Sequence, residues 1–160
     1  KLDIKKVVTC YYGIDTYFWN PNESINKAKF ILSVGNDMNR DYKTLIRAMP
    51  KGLHLKLVTK KQIDTLGKNV QVFRDWMSDK DLRIMYNKAK LVVIPSIKLK
   101  NESSGLSCTL QALACKCIVI IPKLPTLMEL FKEGVDCLYY EPENSSDLHD
   151  KINFVLQNKP

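Results

Sequence analysis

The stretch from residue 91 to residue 121 constrains the fold of this chain more than any other. Two apolar runs, at residues 91–94 (LVVI) and 118–121 (IVII), flank a polar loop that starts at Pro95 and ends at Gly105, and a segment rich in helix formers at 106–114. This order predicts strand, loop, helix, strand. Because both runs are apolar at consecutive positions, each strand should be covered by helices on both faces.

The rest of the chain repeats this alternation of strands and helices. Apolar patterns predict further strands at residues 5–12, 29–34, 53–58, 70–73 and 137–140. They also predict five further helices. The first is capped by Asp41 and ended by Pro50, the second lies at residues 63–66, the third is capped by Ser78, the fourth runs from Pro125 to near Gly134, and the fifth is capped by Ser146. The predicted fold class is therefore α/β, a Rossmann-like, doubly wound parallel sheet with helices on both faces.

Size and composition indicate one ordinary globular domain. The chain has 160 residues, 45% hydrophobic and 26% charged, which suffices for one domain with a proper core. No apolar run approaches the ~20 residues that span a bilayer. The start, KLDIKKVVTC, has no signal-peptide pattern and lacks Met, so we expect the chain to be a piece of a longer protein.

The net charge of the chain indicates which kinds of partner to expect. The formal net charge of +8 favours acidic partners. However, the Lys residues are spread along the chain and no nucleic-acid-binding motif is present, so no nucleic acid partner is expected.

The five cysteines are odd in number and include no C-x-x-C pair. This indicates reduced thiols in a cytoplasmic protein rather than a disulfide framework or a zinc site.

Ligands of doubly wound sheets bind at the carboxyl ends of the strands, which directs attention to the loops there. In the loop after the strand at 29–34, Gly35 allows close backbone approach, and Arg40 stands at a strand-to-helix turn where a guanidinium can fork onto a phosphate. The alternative is an exposed Arg near a helix start.

The loop ending in Ser103, Ser104 and Gly105 is a second candidate. Its hydroxyls and the free N–H groups at the start of the following helix suit a diphosphate; ordinary capping by Ser103 or Ser104 is the alternative. Gln111 lies seven residues after Ser104, on nearly the same helix face, and could reach a ligand hydroxyl. Alone, Gln111 would be interpreted as a solvent-facing side chain.

Several common catalytic patterns are missing from the sequence. Glu102 and Glu129 are acids near predicted ligand loops, but nothing in their spacing singles them out. His54 and His149 have no nucleophile partner in a recognisable arrangement, which argues against a hydrolase triad. The sequence has no Walker A motif and no G-x-G-x-x-G, which argues against a standard nicotinamide-dinucleotide site.

The motifs taken in order resemble the carboxy-terminal half of family-four retaining glycosyltransferases, enzymes of the GT-B fold that use nucleotide sugars. The similar segments are YYGIDTYFWNP at 11–21, FILSVGNDMNRDYKTLIRAM at 30–49, NVQVFRDWMSDKDLRIMYNKAKLVVIPS at 69–96 and SSGLSCTLQALACKCIVI at 103–120. They match the family's interdomain segment, phosphate loop, nucleobase strand and donor-site helix, and Glu129 sits where the family places a Glu. The resemblance covers nearly the whole chain.

This resemblance implies a role for each candidate residue. Arg40 stands near the family's diphosphate-binding Lys, and Asn36 occupies the position of its usual Arg partner. Residues Phe73 to Trp76 would face the nucleobase, largely through backbone. Contacts to the sugar and the distal phosphate would come from Ser103, Ser104, Gly105 and Leu106. Gln111 occupies the second position of the glutamate pair that normally grips the ribose hydroxyls.

The sequence departs from the family pattern at this pair. Members usually carry two glutamates separated by seven residues, and counting back from Gln111 reaches Ser103 rather than an acid. Glu102 is one residue too early, and Gln111 carries no charge. Asn36 also cannot replace an Arg on a phosphate. The resemblance therefore identifies substrate-binding positions and leaves the catalytic residue unknown.

The implied function is donor binding in a glycosyltransferase that moves a sugar from a nucleoside diphosphate to an acceptor hydroxyl with retention. Residues 1–24 would form an interdomain connector and first strand, and residues 25–160 the nucleotide-sugar-binding domain. No metal is expected. An amino-terminal acceptor domain would complete the enzyme, so the isolated chain should be inactive, and peripheral membrane contact is possible because many acceptors are lipid-linked. The alternatives are a non-catalytic nucleotide-binding or scaffold module and, third, an epimerase of the same fold.

Overall fold

A computed structural model describes residues 6–8, 10–64, 67, 69–98 and 104–158 of the chain. Within this part, six strands form one sheet: β1 (Phe30–Val34), β2 (His54–Val58), β3 (Val70–Phe73), β4 (Leu91–Val93), β5 (Val119–Pro122) and β6 (Leu138–Tyr140). Five helices connect or follow them: α1 (Tyr42–Ala48), α2 (Asp79–Lys88), α3 (Leu106–Ala114), α4 (Pro125–Met128) and α5 (Ser145–Gln157).

The sheet has the order β3-β2-β1-β4-β5-β6, and every strand pair is parallel. The chain winds outward from β1 in one direction and from β4 in the other. The switch point therefore lies between these two neighbours, where Ile31 pairs with Leu91 and Leu32 with Val92. The predicted Rossmann-like α/β fold is confirmed, and a crevice is expected at the carboxyl ends of β1 and β4.

The apolar side chains of β1 alternate between the two faces of the sheet, as strand geometry requires. Ile31 packs in a core with Leu45 of α1 and Ile152 of α5. Leu32 packs on the other face, in a core with Tyr86 of α2 and Ala112 of α3. The helices after β1 and β4 thus leave the sheet on opposite faces, which opens the crevice between them.

The first turns of three helices follow from short polar side chains. Asp41 accepts a hydrogen bond from Thr44 N at 3.0 Å and begins α1, and Ser78 accepts from Asp81 N at 3.1 Å and begins α2, so both predicted caps are confirmed. The predicted cap of α5 is wrong by two residues. Asn144, not Ser146, caps it, with Oδ1 accepting from Ser146 N and Asp147 N.

Three other predicted elements differ from the structure. No strand forms at the described part of residues 5–12; Val8 and Tyr11 are 87% and 78% exposed there, because β propensity forms a strand only against a partner. Residues 63 and 64 are not helical, and 65 and 66 lie outside the described residues. The helix that starts at Pro125 ends at Met128 rather than near Gly134.

The cysteines fit the predicted reduced state. All five are free thiols, and Cys115, Cys117 and Cys137 are buried.

The longest helix among the described residues, α5, has 13 residues. In the part of the chain that the structure describes, no helix has the length and apolar character of a membrane-spanning segment.

Candidate donor-binding site

The guanidinium of Arg40 lies at the switch point between two glycines. Gly35 follows β1 and has a φ of 144°, and Gly105 precedes α3 and has a φ of 90°. A β-carbon added to Gly35 would overlap Arg40 Nε, whereas one added to Gly105 would overlap Ile94 Cγ2 and lie 3.0 Å from Arg40 Nη1. The absence of a side chain at Gly35 therefore leaves room for the guanidinium. Arg40 is 5% exposed, so the alternative of an exposed Arg near a helix start is excluded.

Hydrogen bonds to the end of β1 and to the loop before α3 fix this guanidinium. Nε donates to the carbonyl of Val34 at 3.3 Å, Nη1 donates to the hydroxyl of Ser104 at 2.6 Å, and Nη2 lies 3.9 Å from Cys108 Sγ. One side chain thereby ties the end of β1 to the loop before α3. Hydrogen bonds from the protein itself therefore position the positive charge.

Ser104 links Arg40 to an acid in the same loop. Its hydroxyl donates to Asp37 Oδ2 at 2.8 Å while accepting from Arg40. Burial alone would raise the pKa of Asp37, but the N–H of Asn39, the Ser104 hydroxyl and the charges of Arg40 and Lys61 together hold it below the ordinary 3.8. Asp37 therefore stays ionised at neutral pH.

Helix α3 begins without a side-chain cap. Its N-cap residue is Gly105, in the left-handed conformation, and it makes no side-chain capping bond. Capping by Ser104 is excluded, because the Ser104 hydroxyl is directed at Asp37 and Arg40 instead. The first-turn residues Leu106 and Ser107 line a cleft of about 460 Å³ together with Gly35, Asn36, Asp37, Arg40, Gly105, Cys108 and Tyr12. The positive end of the helix dipole meets this cleft.

Neighbouring side chains hold the loop after β1 in place. The Tyr42 hydroxyl donates to the Gly35 carbonyl at 2.6 Å, and burial raises the pKa of Tyr42 to about 12. Asn36, a predicted phosphate-side residue, accepts from Lys60 N at 2.6 Å through its Oδ1. Lys61 Nζ donates to the carbonyls of Met38 and Arg40. The loop is braced from both sides and lies open toward the cleft.

The predicted nucleobase residues line a smaller cleft of about 250 Å³ beside the first. Phe73, at the end of β3, and Trp76, in the following loop, line it with Gly35 and Asn36. Phe73 is half-buried, whereas Trp76 is 81% exposed. Gly35 and Asn36 belong to both clefts, so the structure brings the predicted base-facing and phosphate-facing residues together.

Gln111 is held by a side chain of the neighbouring helix α2. The hydroxyl of Tyr86 lies 3.3 Å from Gln111 Oε1 and 3.5 Å from the carbonyl of Cys108. Tyr86 is fully buried, and this burial raises its pKa well above the usual value, so its hydroxyl keeps its proton. Gln111 itself is half-buried rather than freely solvated, and its amide is oriented by Tyr86.

Two predicted residues, Glu102 and Ser103, lie outside the described residues. Glu129 is exposed at the end of α4. Within the described ranges, no group of three or more His, Cys, Asp or Glu side chains is arranged to hold a metal ion. Sequence reasoning missed Asp37 and Tyr86. Asp37 stands next to Asn36 in the predicted phosphate loop, whereas Tyr86 has the spacing of an ordinary apolar position of α2.

Comparison with known proteins identifies the family of this chain. The family model described as "Glycosyl transferases group 1" matches residues 18–160. The chain belongs to this family. A glycosyltransferase of Methanocaldococcus jannaschii is 30% identical over an alignment covering 94% of the chain. That alignment spans 45% of the relative, so the group 1 domain described here corresponds to about half its length.

Solved structures agree on the fold of this group 1 domain. The isolated C-terminal domain of the group 1 glycosyl transferase LpcC from Francisella tularensis superposes with a TM-score of 0.71 at 18% identity, covering 91% of this chain and 89% of that one. Sucrose-phosphate synthase of Thermosynechococcus elongatus gives 0.76 at 20% identity, with 91% and 42% covered. HepE of Anabaena, solved in complex with UDP-glucose, gives 0.75 at 17%, with 92% and 47% covered. The chain has the fold of a C-terminal GT-B glycosyltransferase domain.

Proposed function

We propose that this domain binds the nucleoside diphosphate sugar in a glycosyltransferase that transfers the sugar to an acceptor hydroxyl with retention. The observation that carries the proposal is the convergence of Arg40, the backbone of Gly35 and Gly105, and the uncapped start of α3 on one cleft at the switch point. A fixed cation and a helix amino terminus are the groups that bind a diphosphate. The UDP-glucose complex of HepE, which shares the fold, supports this ligand class.

The same groups suit the reaction step in which the nucleoside diphosphate leaves the sugar. As the bond from the sugar to the distal phosphate breaks, negative charge grows on the leaving diphosphate. Arg40 and the backbone N–H groups at the start of α3 would stabilise that charge electrostatically, with no covalent step on the protein. Retention follows from the family resemblance, and the proposal includes no metal ion, so EDTA should leave nucleotide binding unchanged.

Titration of the chain with UDP, GDP and ADP tests donor binding. Trp76 borders the smaller cleft, so its fluorescence, together with a melting shift, reports the ligand. Arg40→Ala should weaken binding of the preferred diphosphate by about 1.5–3 kcal/mol, the usual contribution of a hydrogen bond to a charged group. Arg47, exposed in the last turn of α1 and outside the cleft, offers a control of equal charge. An equal effect of Arg47→Ala would count against the assignment.

We further propose that the domain needs an acceptor-binding partner domain for transfer. The chain spans about half the length of the curated relative that it matches, and its cleft lies open at the carboxyl edge of the sheet. Turnover of UDP-glucose, GDP-mannose or ADP-glucose by the isolated 160-residue chain would contradict this. Cytoplasmic location and peripheral contact with a membrane carrying a lipid-linked acceptor belong to the same proposal, and co-sedimentation with anionic vesicles tests the contact.

A second candidate function is a non-catalytic module of the same fold that binds a nucleotide or serves as a scaffold. Ser103 and Gln111 stand where the family pair has two acids, and this observation favours it. A response to a nucleoside diphosphate without turnover in the longer protein would support the non-catalytic binding module. The absence of any response to UDP, GDP and ADP would support the scaffold.

A further inference from the structure

The carboxylate of Asp37 lies in a cleft whose other charged and polar groups suit an anion. Asp37 lines this cleft with Arg40 and with Leu106 of the first turn of α3. A fixed negative charge opposes a diphosphate, so it lowers rather than raises affinity for the nucleotide moiety. Its position is explained if Asp37 serves a different part of the ligand.

Asp37 contacts the residue before Gly105, beside the uncapped start of α3 in the proposed diphosphate site. Ser104 donates to Asp37 Oδ2 at 2.8 Å, so the carboxylate lies next to the groups that would hold the diphosphate to which the sugar is attached. We propose that Asp37 is a specificity-determining residue that accepts hydrogen bonds from hydroxyl groups of the donor sugar. This inference rests on the proposed function and adds the recognition of the sugar to it.

The hydrogen bonds of Asp37 leave capacity for such a ligand. Oδ1 accepts from Asn39 N at 2.8 Å, and Oδ2 accepts from the Ser104 hydroxyl. Each carboxylate oxygen has two acceptor sites, so each can take one further hydrogen bond. Ser104 is 2% exposed and accepts a hydrogen bond from Arg40, which fixes its position. Ser104 in turn holds the carboxylate of Asp37, which is half-buried and lines the cleft.

The charge state suits the recognition of hydroxyl groups. The same bonds and the charges of Arg40 and Lys61 keep the pKa of Asp37 below its ordinary value, against the opposing effect of burial. A hydroxyl that donates to an ionised carboxylate makes a shorter and stronger bond than one that donates to a neutral acceptor. The cleft would therefore favour a nucleoside diphosphate that carries a sugar over the nucleoside diphosphate alone.

If the role of Asp37 were purely structural, its substitution would have a different effect on ligand affinity. If Asp37 served only to orient Ser104 and Arg40, its loss would loosen the anion site and weaken both ligands alike. If Asp37 binds the sugar, its neutralisation removes repulsion from the diphosphate and a contact to the sugar at once. The two effects have opposite signs for the two ligands.

The test compares dissociation constants of UDP and UDP-glucose, and of the GDP/GDP-mannose and ADP/ADP-glucose pairs, for the wild-type chain and Asp37→Asn. For the pair that the wild type binds, the diphosphate alone should bind the variant as tightly as before or up to about threefold more tightly. The sugar nucleotide should bind about tenfold more weakly, the effect of one charge-assisted hydrogen bond. Asp64→Asn removes the same charge at an exposed position outside this cleft and should change neither constant.

The outcomes distinguish a failure of the role of Asp37 from a failure of donor binding. Equal weakening of both ligands by Asp37→Asn, or no change in either, overturns the role of Asp37 while donor binding stands. If the wild-type chain binds none of the three pairs, the proposed function fails and the inference falls with it. Asp37→Ser, whose hydroxyl can still bond to Ser104, is the second variant; loss of the preference for the sugar nucleotide in it supports the proposal, and retention of that preference overturns it.

Discussion

The guanidinium of Arg40 occupies the space in which a side chain of Gly35 would lie. An added β-carbon would overlap its Nε, and the backbone of Gly35, at φ of 144°, is in a region that other residues avoid. The predicted phosphate-binding residue and the predicted close-approach glycine are therefore one structural unit. A change at either should disturb the other.

Gly35→Ala should destabilise the chain and displace Arg40. Gly52 provides a matched control, since its φ is 79° and a β-carbon there would meet nothing within 4 Å. Gly52→Ala should cost about 1–2 kcal/mol of unfolding free energy from backbone strain alone, whereas Gly35→Ala should cost about 1–3 kcal/mol more, both from the overlap and because its φ of 144° lies outside the left-handed helical region. Urea unfolding measures both. Equal losses would show that the overlap with Arg40 is relieved without cost.

The family resemblance predicts that Gln111 contacts the ribose, and on that prediction Tyr86→Phe should weaken ligand binding. The change removes the hydroxyl that orients the Gln111 amide and keeps the buried ring. Tyr139→Phe is the control, because its hydroxyl is also buried and donates to the carbonyls of Leu127 and Phe131, away from the cleft. Both variants should lose about 1 kcal/mol of stability. Only Tyr86→Phe should raise the dissociation constant of a nucleoside diphosphate, by about three- to tenfold.

Should both tyrosine variants leave the dissociation constant unchanged, Tyr86 would be a packing residue only. A comparison with the 2′-deoxyribonucleotide localises the effect. If Gln111 contacts the ribose, Tyr86→Phe should reduce the discrimination between the ribo and deoxyribo forms, as measured by isothermal titration.

Acid should destabilise the chain partly through Asp37. The pKa of its carboxyl is lower in the folded chain than the ordinary 3.8, so the unfolded chain takes up the proton first as pH falls. The stabilisation is fully present above about pH 4, the unfolded value, and is lost as pH falls through the folded value. Thermal melts between pH 5 and pH 2.5 should show a shallower loss of stability for Asp37→Asn. Parallel curves would contradict the assignment.

Asn144→Ala should destabilise α5, whereas Ser146→Ala should not. The Oδ1 of Asn144 accepts from two N–H groups of the first turn, and loss of such a cap costs about 1 kcal/mol of unfolding free energy. Ser146 is a first-turn residue whose backbone N–H, rather than its hydroxyl, takes part in the cap. Chemical denaturation of the two variants compares them directly, and the reverse order of stabilities would restore the cap that the sequence predicted.

Local patterns predicted the sheet well, because buried parallel strands are short apolar runs and the helices between them carry periodic faces and caps. The strand expected at 5–12 failed for a physical reason: Val7, Val8, Tyr11 and Tyr12 favour an extended chain, but they are exposed and lie along no sheet edge. A preference for β structure cannot supply the neighbouring strand.

The candidate site was predictable in its location but not in its contacts. The switch-point rule and the family motifs pointed to the loops at Arg40 and Ser104, which are 64 residues apart and bonded at 2.6 Å. The contacts of Asp37 with Ser104 and of Tyr86 with Gln111 join side chains 67 and 25 residues apart. Such pairs have no local sequence signal, since only the folded sheet brings them together.

The burial of Arg40 sets how the site should respond to dissolved salt. Mobile counterions surround an exposed lysine and weaken its field, but they cannot crowd around a guanidinium that is 5% exposed and enclosed by the backbone of two glycines. An anion in the cleft would meet a charge already stripped of water during folding. Its capture should therefore depend on ionic strength far less than the net charge of +8 suggests.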